Sequence, residues 1–267
     1  MLDGAARVDE LVKEVANQGM PAIAITDHGN MFGAFDFYKK AKQNGVKPII
    51  GIEAYVAPES RFDKRRVKWA EGGEDDVSGG GAYTHMTIWA ENNVGLGNLF
   101  RLSSLASLEG YYYKPRMDRE LLSKYASGLI GTSGCPGGEI QTKLRMGAIT
   151  EAKLAASELR DIFGKDNFFI EIMDHGIEIE NRVKAELLKL AKDLSIPLLA
   201  TNDLHYTKHE DAPAHEALLC VQSGSNLADP KRFKFENSEF YLKSAAQMRK
   251  LFEQIPESCD NTLLIAE

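Results

Sequence analysis

The sequence predicts an α/β fold, since short apolar runs of β-type residues alternate with longer stretches of helical periodicity. A chain of 267 residues can bury one substantial core, and this alternation is typical of a parallel sheet, either doubly wound or closed into a barrel. The β-type runs are, in chain order, AIAIT (22–26), PIIGI (48–52), MTIWA (86–90), GLIGT (128–132), FFIEI (168–172) and PLLAT (197–201).

The segments between these runs carry apolar residues at helical spacing. The predicted helices are VDELVKEVANQG, FDFYKKAKQNG, LGNLFRLSSLASLE, ITEAKLAASELRDIFG and ENRVKAELLKLAKDL. Gly19, Gly45 and Gly164 lie at the ends of the first, second and fourth, where a left-handed C-terminal cap is common. These glycines therefore mark where three of the helices stop.

We predict one domain over residues 1–229, with a surface loop at 57–84, and a C-terminal helical extension over 230–267. The loop prediction depends on composition, because KRRVKW gives way there to EGGEDDVSGGG. The basic stretch is more typical of a solvated face than of a nucleic-acid contact. The extension contains two short helical segments separated at Pro256.

Composition disfavours several classes of protein. A formal net charge of -7 argues against a freestanding, nonspecific DNA binder. The 3 cysteines show no CxxC spacing, which favours a reducing compartment, so we expect a cytoplasmic protein. No run approaches the roughly 18 apolar residues of a membrane span, and the start MLDGAARVDE lacks signal-peptide features, so we expect neither membrane insertion nor secretion.

Residues able to bind a metal follow four of the β-type runs. They are Asp27 and His28 after AIAIT, Glu53 after PIIGI, Cys135 shortly after GLIGT, and Asn202, Asp203 and His205 after PLLAT. Sites in such folds form at the carboxyl ends of the strands, so we expect a shared site. His85 precedes its run, so either its strand runs opposite to its neighbours or its side chain arrives from another direction.

The chemistry of this set indicates metal-assisted hydrolysis at phosphorus. Imidazole, carboxylate and a single thiolate suit zinc, manganese or iron better than calcium. Asp203 and His205 would project from the same face if the strand continued through them. Such ions can lower the pKa of a bound water and neutralise charge on a phosphodiester.

Each residue also has a plainer structural interpretation. Cys135 alone is most often an inert buried thiol, His28 a turn or core histidine, and Glu53 a buried carboxylate with a partner. Their equivalent positions at strand ends make a shared site the better interpretation. We expect Asp27 to orient a neighbouring ligand, and Gly29 with Asn30 to supply the turn.

Other polar residues are secondary candidates. Asp174 and His175 follow FFIEI and could belong to the site or only shape a turn. His209 and His215 fall on a predicted helix, where surface or packing roles are more common. The sequence contains no Gly-rich phosphate loop, serine-nucleophile elbow or kinase-type set.

The chain resembles the PHP domain, the polymerase and histidinol phosphatase domain, at the front of bacterial DNA polymerase III alpha subunits. The resemblance covers essentially the whole chain. The motifs TDH and DLH indicate only the superfamily, whereas YYYKPR, SGCPGGE and the tail FYLKSAAQMRKLFEQIP are similar to the polymerase subunit specifically. This separates the chain from small-molecule phosphatases.

The resemblance implies a distorted (β/α)7 barrel that holds a cluster of up to three divalent metal ions, zinc, manganese or iron. It implies a metal-dependent 3′–5′ exonuclease that proofreads for the attached polymerase. The implied partners are the 3′ end of a DNA primer, the remainder of the alpha subunit, and replisome subunits such as the sliding clamp.

The family's site residues carry over by motif. The implied metal ligands are Asp3, His28, Glu53, His85, Cys135, Asp203 and His205, of which His28, Asp203 and His205 are also implied catalytic residues. Lys114 and Arg116 in YYYKPR would either position a phosphate or form a structural turn.

One departure from the family pattern concerns the N terminus. The pattern begins with an HxH pair on a first strand upstream of MLDG, and here the chain starts at Met1 of that segment. We therefore expect the first strand and two imidazole ligands to be missing, through truncation or through numbering that begins after an omitted start. Incomplete metal loading would follow, and it could leave this chain inactive.

Two other functions compete with the exonuclease. One is a noncatalytic structural module that stabilises the polymerase and contacts the replisome, with metals as fold support. The other is hydrolysis of a small phosphate monoester, which the polymerase-type tail disfavours. The polymerase's own catalytic residues would lie beyond Glu267, so we expect no DNA synthesis by this chain.

Overall fold

A curled sheet of seven strands forms the centre of the molecule. The computed structural model describes residues 3–67 and 78–267. The strands are β1 (Ala22–His28), β2 (Lys47–Val56), β3 (Thr84–Ala90), β4 (Arg116–Met117), β5 (Leu129–Thr132), β6 (Phe168–Ile172) and β7 (Leu198–Ala200). All six β-type runs lie on strands, and only β4, with two residues, was too short to show a pattern.

Helices cover the outside of the sheet. They are α1 (Val8–Asn17), α2 (Ala34–Gln43), α3 (Asn93–Leu108), α4 (Arg119–Tyr125), α5 (Glu139–Arg145), α6 (Ile149–Phe163), α7 (Glu178–Leu194), α8 (Ala212–Ser223), α9 (Ala245–Leu251) and α10 (Glu257–Ala266). The five predicted helices are present, whereas α4 and α5 are too short, at 7 residues each, to show helical periodicity. Among the helices described, none is both long and apolar enough to cross a membrane.

The sheet is an open half barrel. Its strand order is β1-β2-β3-β5-β6-β7, with β4 beside β2, so β1 and β7 each pair on one side only within the described residues. The prediction of an α/β barrel is confirmed in this form. Adjacent residues on the central strands point to opposite faces. Ile88 and Phe168 pack outward beneath the helices, while Trp89 and Phe169 pack inside the curl.

The predicted parallel sheet has one exception at β3, the strand for which the position of His85 left the opposite direction open. This strand pairs antiparallel with both β2 and β5, whereas β1, β4, β6 and β7 pair parallel with their neighbours. The described parts of the β2–β3 connection hold a short 3-10 turn at Ser78–Gly81 and no crossover helix of the kind that joins parallel strands. The reversal brings the start of β3 to the end of the sheet where β1 and β2 finish.

The flanks of the predicted 57–84 loop are partly buried. Arg61 is 6% exposed, and its guanidinium bonds Asp118 at 3.1 Å and Glu109 at 2.6 Å. The Lys68–Trp69 end of the basic stretch and most of the acidic stretch lie outside the described residues. The two tail helices occur as predicted, on either side of Pro256. The domain boundary at residue 229 stays a prediction.

The C-terminal helix packs against the edge strand β7. Asn261 of α10 donates a hydrogen bond to the carbonyl of Leu198 at 2.8 Å. Ile265 contacts the apolar cluster inside the curl, and Phe252 with Cys259 packs against the ends of β6 and β7. The extension therefore contributes to the core on the open side of the sheet.

Candidate metal centre

The first group of potential ligands joins three parts of the chain that are distant in sequence. Nε2 of His28 lies 2.6 Å from Oδ2 of Asp3, and Nε2 of His205 lies 3.6 Å from the same oxygen. The three side chains form a set close enough to hold one ion. His28 ends β1, whereas Asp3 and His205 belong to loop segments, and we call this set the loop group.

The loop group depends on local hydrogen bonds that dock the N-terminal segment. The amides of Ala5 and Ala6 donate to the carbonyl of His205 at 2.7 and 3.0 Å. His215 of α8 is 2% exposed, and its Nε2 donates to the carbonyl of Asp3 at 2.6 Å. The sequence predicts a surface or packing role for His215 and gives no sign of this bond, because only the fold brings α8 to the N terminus.

The second group lies on three neighbouring strands. It comprises His28, Glu53 and His85, and we call it the strand group. Nδ1 of His85 donates to Oε1 of Glu53 at 2.6 Å, and Nδ1 of His28 lies 3.4 Å from Oε2. Sheet register explains the set, since His28 pairs with Glu53 and His85 pairs with Tyr55 two residues later. Because β3 runs antiparallel to β2, His85 at the start of β3 reaches the site even though it precedes its apolar run.

His28 belongs to both groups. One ring nitrogen faces Asp3, and the other faces Glu53. Within the described chain, the buried Nδ1 makes no hydrogen bond of good geometry. An imidazole with an unpaired buried nitrogen, surrounded by carboxylates and further imidazoles, suits a divalent cation.

Cys135 extends the strand group. Its Sγ lies 3.5 Å from Nδ1 of His85 and 3.8 Å from Oε1 of Glu53. The loop after β5 holds it there, because the amide of Gly138 donates to the carbonyl of Cys135 and the amide of His85 donates to Gly137. Burial and the charges of Glu53 and Asp203 raise the pKa of the Cys135 thiol well above its usual value. A cation at this position would favour the thiolate.

Asp203 lies beside His205, but not for the predicted reason. β7 ends at Ala200, and Asp203 has a left-handed backbone with φ 42°. The strand therefore does not continue through Asp203 and His205, so the condition under which they would share a strand face is not met. Nδ1 of His205 donates to the carbonyl of Asp203 at 2.7 Å, and it lies 3.8 Å from Oδ1. Such backbone strain costs about 1–3 kcal/mol for a residue with a β-carbon and is common at functional sites.

Mutual electrostatics favour the ionised carboxylates of Asp3 and Glu53 and the protonated imidazoles of His28 and His205. Burial would raise the pKa of Glu53, but the His85 hydrogen bond and the charge of His28 lower it to about 2. Burial would lower the pKa of His205, yet Asp203 and Asp3 raise it to about 9. Likewise, hydrogen bonds to His205 and His28 outweigh burial and hold the pKa of Asp3 well below its usual value. A divalent cation would have to displace these protons, so metal binding should strengthen as pH rises.

Glu171 is a buried carboxyl that sequence analysis missed. It is 3% exposed on β6, where its carboxyl accepts hydrogen bonds from the hydroxyls of Thr132 at 2.5 Å and Thr201 at 2.6 Å. Burial raises its pKa to about 7, and the charges of Asp203 and Glu53 act in the same direction. The signal was available, since Glu171 is the one charged residue in FFIEI.

Several secondary candidates have structural roles. Both ring nitrogens of His175 are occupied, Nδ1 by Glu180 at 2.5 Å and Nε2 by the carbonyl of Asn202 at 2.9 Å. Arg116 is fully buried and donates to four backbone carbonyls, so the structural interpretation of this residue is correct. Asp174 forms an ion pair with Lys184 at 2.6 Å.

The turn after β1 differs in one respect from its prediction. Gly29 has φ 67°, and Asn30 donates to the carbonyl of His28 at 2.8 Å, so both residues supply the turn as predicted. Asp27 instead accepts a hydrogen bond from the amide of Gly33 at 2.8 Å. The prediction that it orients a ligand is wrong, because its carboxylate stabilises the start of α2.

A half barrel whose strand ends gather imidazoles, carboxylates and a thiol defines a class of metal-site α/β domains. Residues 1–175 match the family described as PHP domain. Because the match covers more than half of the chain, the chain belongs to the PHP domain family. This confirms the resemblance that the motifs predicted.

Over its whole length the chain is similar to DNA polymerase III subunit alpha from several bacteria. It is 57% identical over 277 residues to the subunit of Saccharopolyspora erythraea, 56% over 271 residues to that of Mycobacterium tuberculosis, and 46% over 271 residues to that of Thermus aquaticus. Each comparison covers 100% of this chain. The chain spans only 23%, 23% and 21% of the length of these relatives.

Two solved structures are similar at low sequence identity. An amidohydrolase from Chromobacterium violaceum aligns with a TM-score of 0.44 and 14% identity, covering 76% of this chain and 84% of that one. A protein from Bifidobacterium adolescentis, described as a metal-dependent phosphoesterase, aligns with a TM-score of 0.35 and 13% identity, covering 94% and 92%. Both scores lie below 0.5, so the fold assignment stands on the sheet topology and the family match.

Proposed function

We propose that this chain is a metal-dependent 3′–5′ exonuclease domain that proofreads DNA synthesis by a DNA polymerase III alpha subunit. The observation that carries the proposal is the position of His28 between the loop group and the strand group. Its two ring nitrogens face two different sets of potential ligands. This arrangement favours a centre with two neighbouring ions over a site for one isolated ion. Similarity along the whole chain to polymerase alpha subunits supports DNA as the substrate.

Each group would hold a divalent ion. Asp3, His28 and His205 would bind one, and His28, Glu53 and His85, extended by Cys135, would bind another. A neutral imidazole offers one lone pair, so the His28 ring would have to lose both ring protons for the two groups to be filled at once. The mixed nitrogen, oxygen and sulfur donors suit zinc, manganese or iron. When bound, such ions would lower the pKa of a water and neutralise charge on the phosphodiester.

Protein side chains would supply proton transfer and orientation. Burial raises the pKa of Asp203, which suits its carboxylate to accept a proton from the attacking water. The bond from His205 to the carbonyl of Asp203 fixes that imidazole against Asp3. Water would add to phosphorus while the bond to the 3′ oxygen of the preceding nucleotide breaks, releasing a nucleoside 5′-monophosphate.

The proposed partners follow from the same relatives. The primer 3′ end would reach the site from the remainder of the alpha subunit, and the sliding clamp would act through that larger protein. A net charge of -7 is consistent with DNA held largely by other parts of the subunit. The 3 cysteines are free, which supports a cytoplasmic location.

The test is incubation with a primer that carries a mismatched 3′ end, in manganese or zinc. Two proteins are compared: this chain, and the chain extended upstream by the family's HxH segment. We expect stepwise shortening, and we expect Asp203→Asn and His205→Ala to abolish it. His209→Ala is the matched control, since His209 is exposed on the surface.

Failure of both proteins to shorten the primer in either metal would reject the exonuclease. A second candidate would then gain support, a noncatalytic module in which the site serves as fold support. The observation that favours it is the ion-pair network itself, which ties the N-terminal segment to β1, β2 and β3. In that case ligand substitutions would lower the melting temperature without any nuclease rate to change.

A further inference from the structure

Two tyrosines connect the metal centre to the surface of the molecule. The ring of Tyr55 stacks on His28 with centroids 6.0 Å apart, and the ring of Tyr83 stacks on His85 at 5.9 Å. The two tyrosine rings meet edge to face at 4.9 Å. Tyr55 is 6% exposed, so these rings form a wall of the site and not its outer surface.

Two cations and an exposed aromatic ring lie beyond this wall. Nζ of Lys114 is 5.4 Å from the centroid of the Tyr55 ring. The guanidinium of Arg66 lies 5.0 Å from the centroid of Tyr113, whose side chain is 58% exposed. We call Tyr113, Arg66 and Lys114 the tyrosine platform.

Backbone geometry holds the platform next to the metal centre. The amide of Tyr112 donates to the carbonyl of Lys114 at 3.0 Å, which closes a tight turn with Tyr113 in the left-handed region at φ 61°. A β-carbon on Gly29 would lie 2.8 Å from the Tyr55 ring and 2.9 Å from Pro115. The turn that follows His28 therefore touches the turn that carries the platform.

Exposed aromatic residues alone are ordinary on protein surfaces. The platform differs because its ring is held at a strained turn beside a guanidinium, and because its Lys114 lies over the Tyr55 ring that stacks on His28. A left-handed tyrosine costs about 1–3 kcal/mol, and the turn that imposes this conformation leaves the Tyr113 ring exposed. Aromatic faces interleaved with cations are what proteins use to bind single-stranded nucleic acid.

We propose that the tyrosine platform binds the unpaired 3′ portion of a DNA strand. The face of Tyr113 stacks on a base, and Arg66 and Lys114 contact the flanking phosphates. This inference rests on the proposed exonuclease function and adds the means of substrate choice. Stacking requires an exposed base face, so the platform binds frayed or mismatched ends and not paired ones.

The test is binding of a fluorescent, single-stranded oligothymidylate to this chain in EDTA, measured by anisotropy. Tyr113→Ala should weaken binding by about 5-fold to 100-fold, the usual effect of losing one stacked base. Tyr113→Phe should keep the affinity, because it retains the ring. Arg66→Ala should reduce the slope of log K against log salt by about 0.7, as expected for one lost phosphate contact.

Phe100→Ala is the control, since Phe100 is a 51% exposed aromatic residue on α3. Melting temperatures would verify that every variant is folded. Equal affinities of Tyr113→Ala and Phe100→Ala would overturn the proposal, as would equal binding of blunt duplex and single strand. Binding is measured without metal, so this result can be interpreted even if the chain proves not to be an exonuclease. A Tyr113→Ala variant that shortens the primer and keeps the parent's affinity for single strands would reject the platform but not the exonuclease.

Discussion

The strand group and the loop group differ in how the chain holds them. His28, Glu53 and His85 lie on three paired strands, so sheet register sets their spacing. Asp3 and His205 lie on irregular segments that depend on a few hydrogen bonds. One half of the centre is therefore built by the sheet, whereas the other half is docked onto the sheet by those hydrogen bonds.

The largest expected effect comes from Glu171, which joins the bases of two ligand loops. Thr132 precedes the Cys135 loop, and Thr201 precedes Asp203, so their bonds to Glu171 connect both loops to β6. The pKa of Glu171 is about 7 in the folded protein, against an ordinary value of 4.5. The folded state therefore binds this proton more tightly than the unfolded state does.

The stabilisation that comes from the proton on Glu171 is fully present below pH 4.5 and is lost as pH rises through about 7. It amounts to about 3 kcal/mol. Urea unfolding in EDTA should show Glu171→Gln becoming more stable relative to the parent chain by this amount between pH 4.5 and 8. A difference between the two proteins that stays constant with pH would contradict the assignment.

The next effect separates the two groups. His215→Ala removes the bond to the carbonyl of Asp3, so metal affinity of the loop group should fall by about 10-fold to 100-fold. The strand group should keep its ion. Titration with zinc, followed by elemental analysis, should show one class of site weakened and one unchanged.

Two reference variants accompany His215→Ala. His28→Ala should weaken both classes, because His28 is shared, and the exposed His209→Ala should weaken neither. If His215→Ala weakened both classes equally, the two halves of the centre would not be separable.

The smallest effect concerns the turn that leads out of the strand group. Asp27→Ala removes the acceptor for the amide of Gly33, which should lower the free energy of unfolding by about 1 kcal/mol. Zinc content should not change, because Asp27 contacts the start of α2 and not a ligand. Denaturant unfolding measures the change in stability, and elemental analysis measures the zinc content. A loss of zinc in Asp27→Ala would show that Asp27 contributes to the metal site.

Sequence patterns located the strands and the candidate site best where an apolar β-type run is followed directly by residues able to bind a metal. The β-type runs located β1, β2, β3, β5, β6 and β7, because a strand covered on both faces leaves a short, nearly continuous run of apolar residues. The polar residues that follow those runs pointed to one end of the sheet, and the structure brings them together there. The roles of the individual ligands, the metals and the domain boundary stay proposals.

Other features escaped sequence analysis for physical reasons. The direction of β3 depends on how the chain returns after β2, and no local pattern encodes it. The bond from His215 to Asp3 joins residues 212 positions apart, and only packing of α8 creates it. Asp203 adopts a left-handed backbone, which few residues with a β-carbon do, and nothing in the local sequence marks that conformation.

The sequence by itself determined the α/β class, the strand positions, the donor types of the candidate centre and the family resemblance. Local periodicity and side-chain chemistry carry this information, since neither requires knowledge of distant contacts. Only the tertiary structure decided that His28 serves two ligand groups, that Glu171 connects two loops and that Arg116 is structural. Those properties depend on which segments meet in space, and burial then sets the hydrogen bonds and pKa values of the residues that meet.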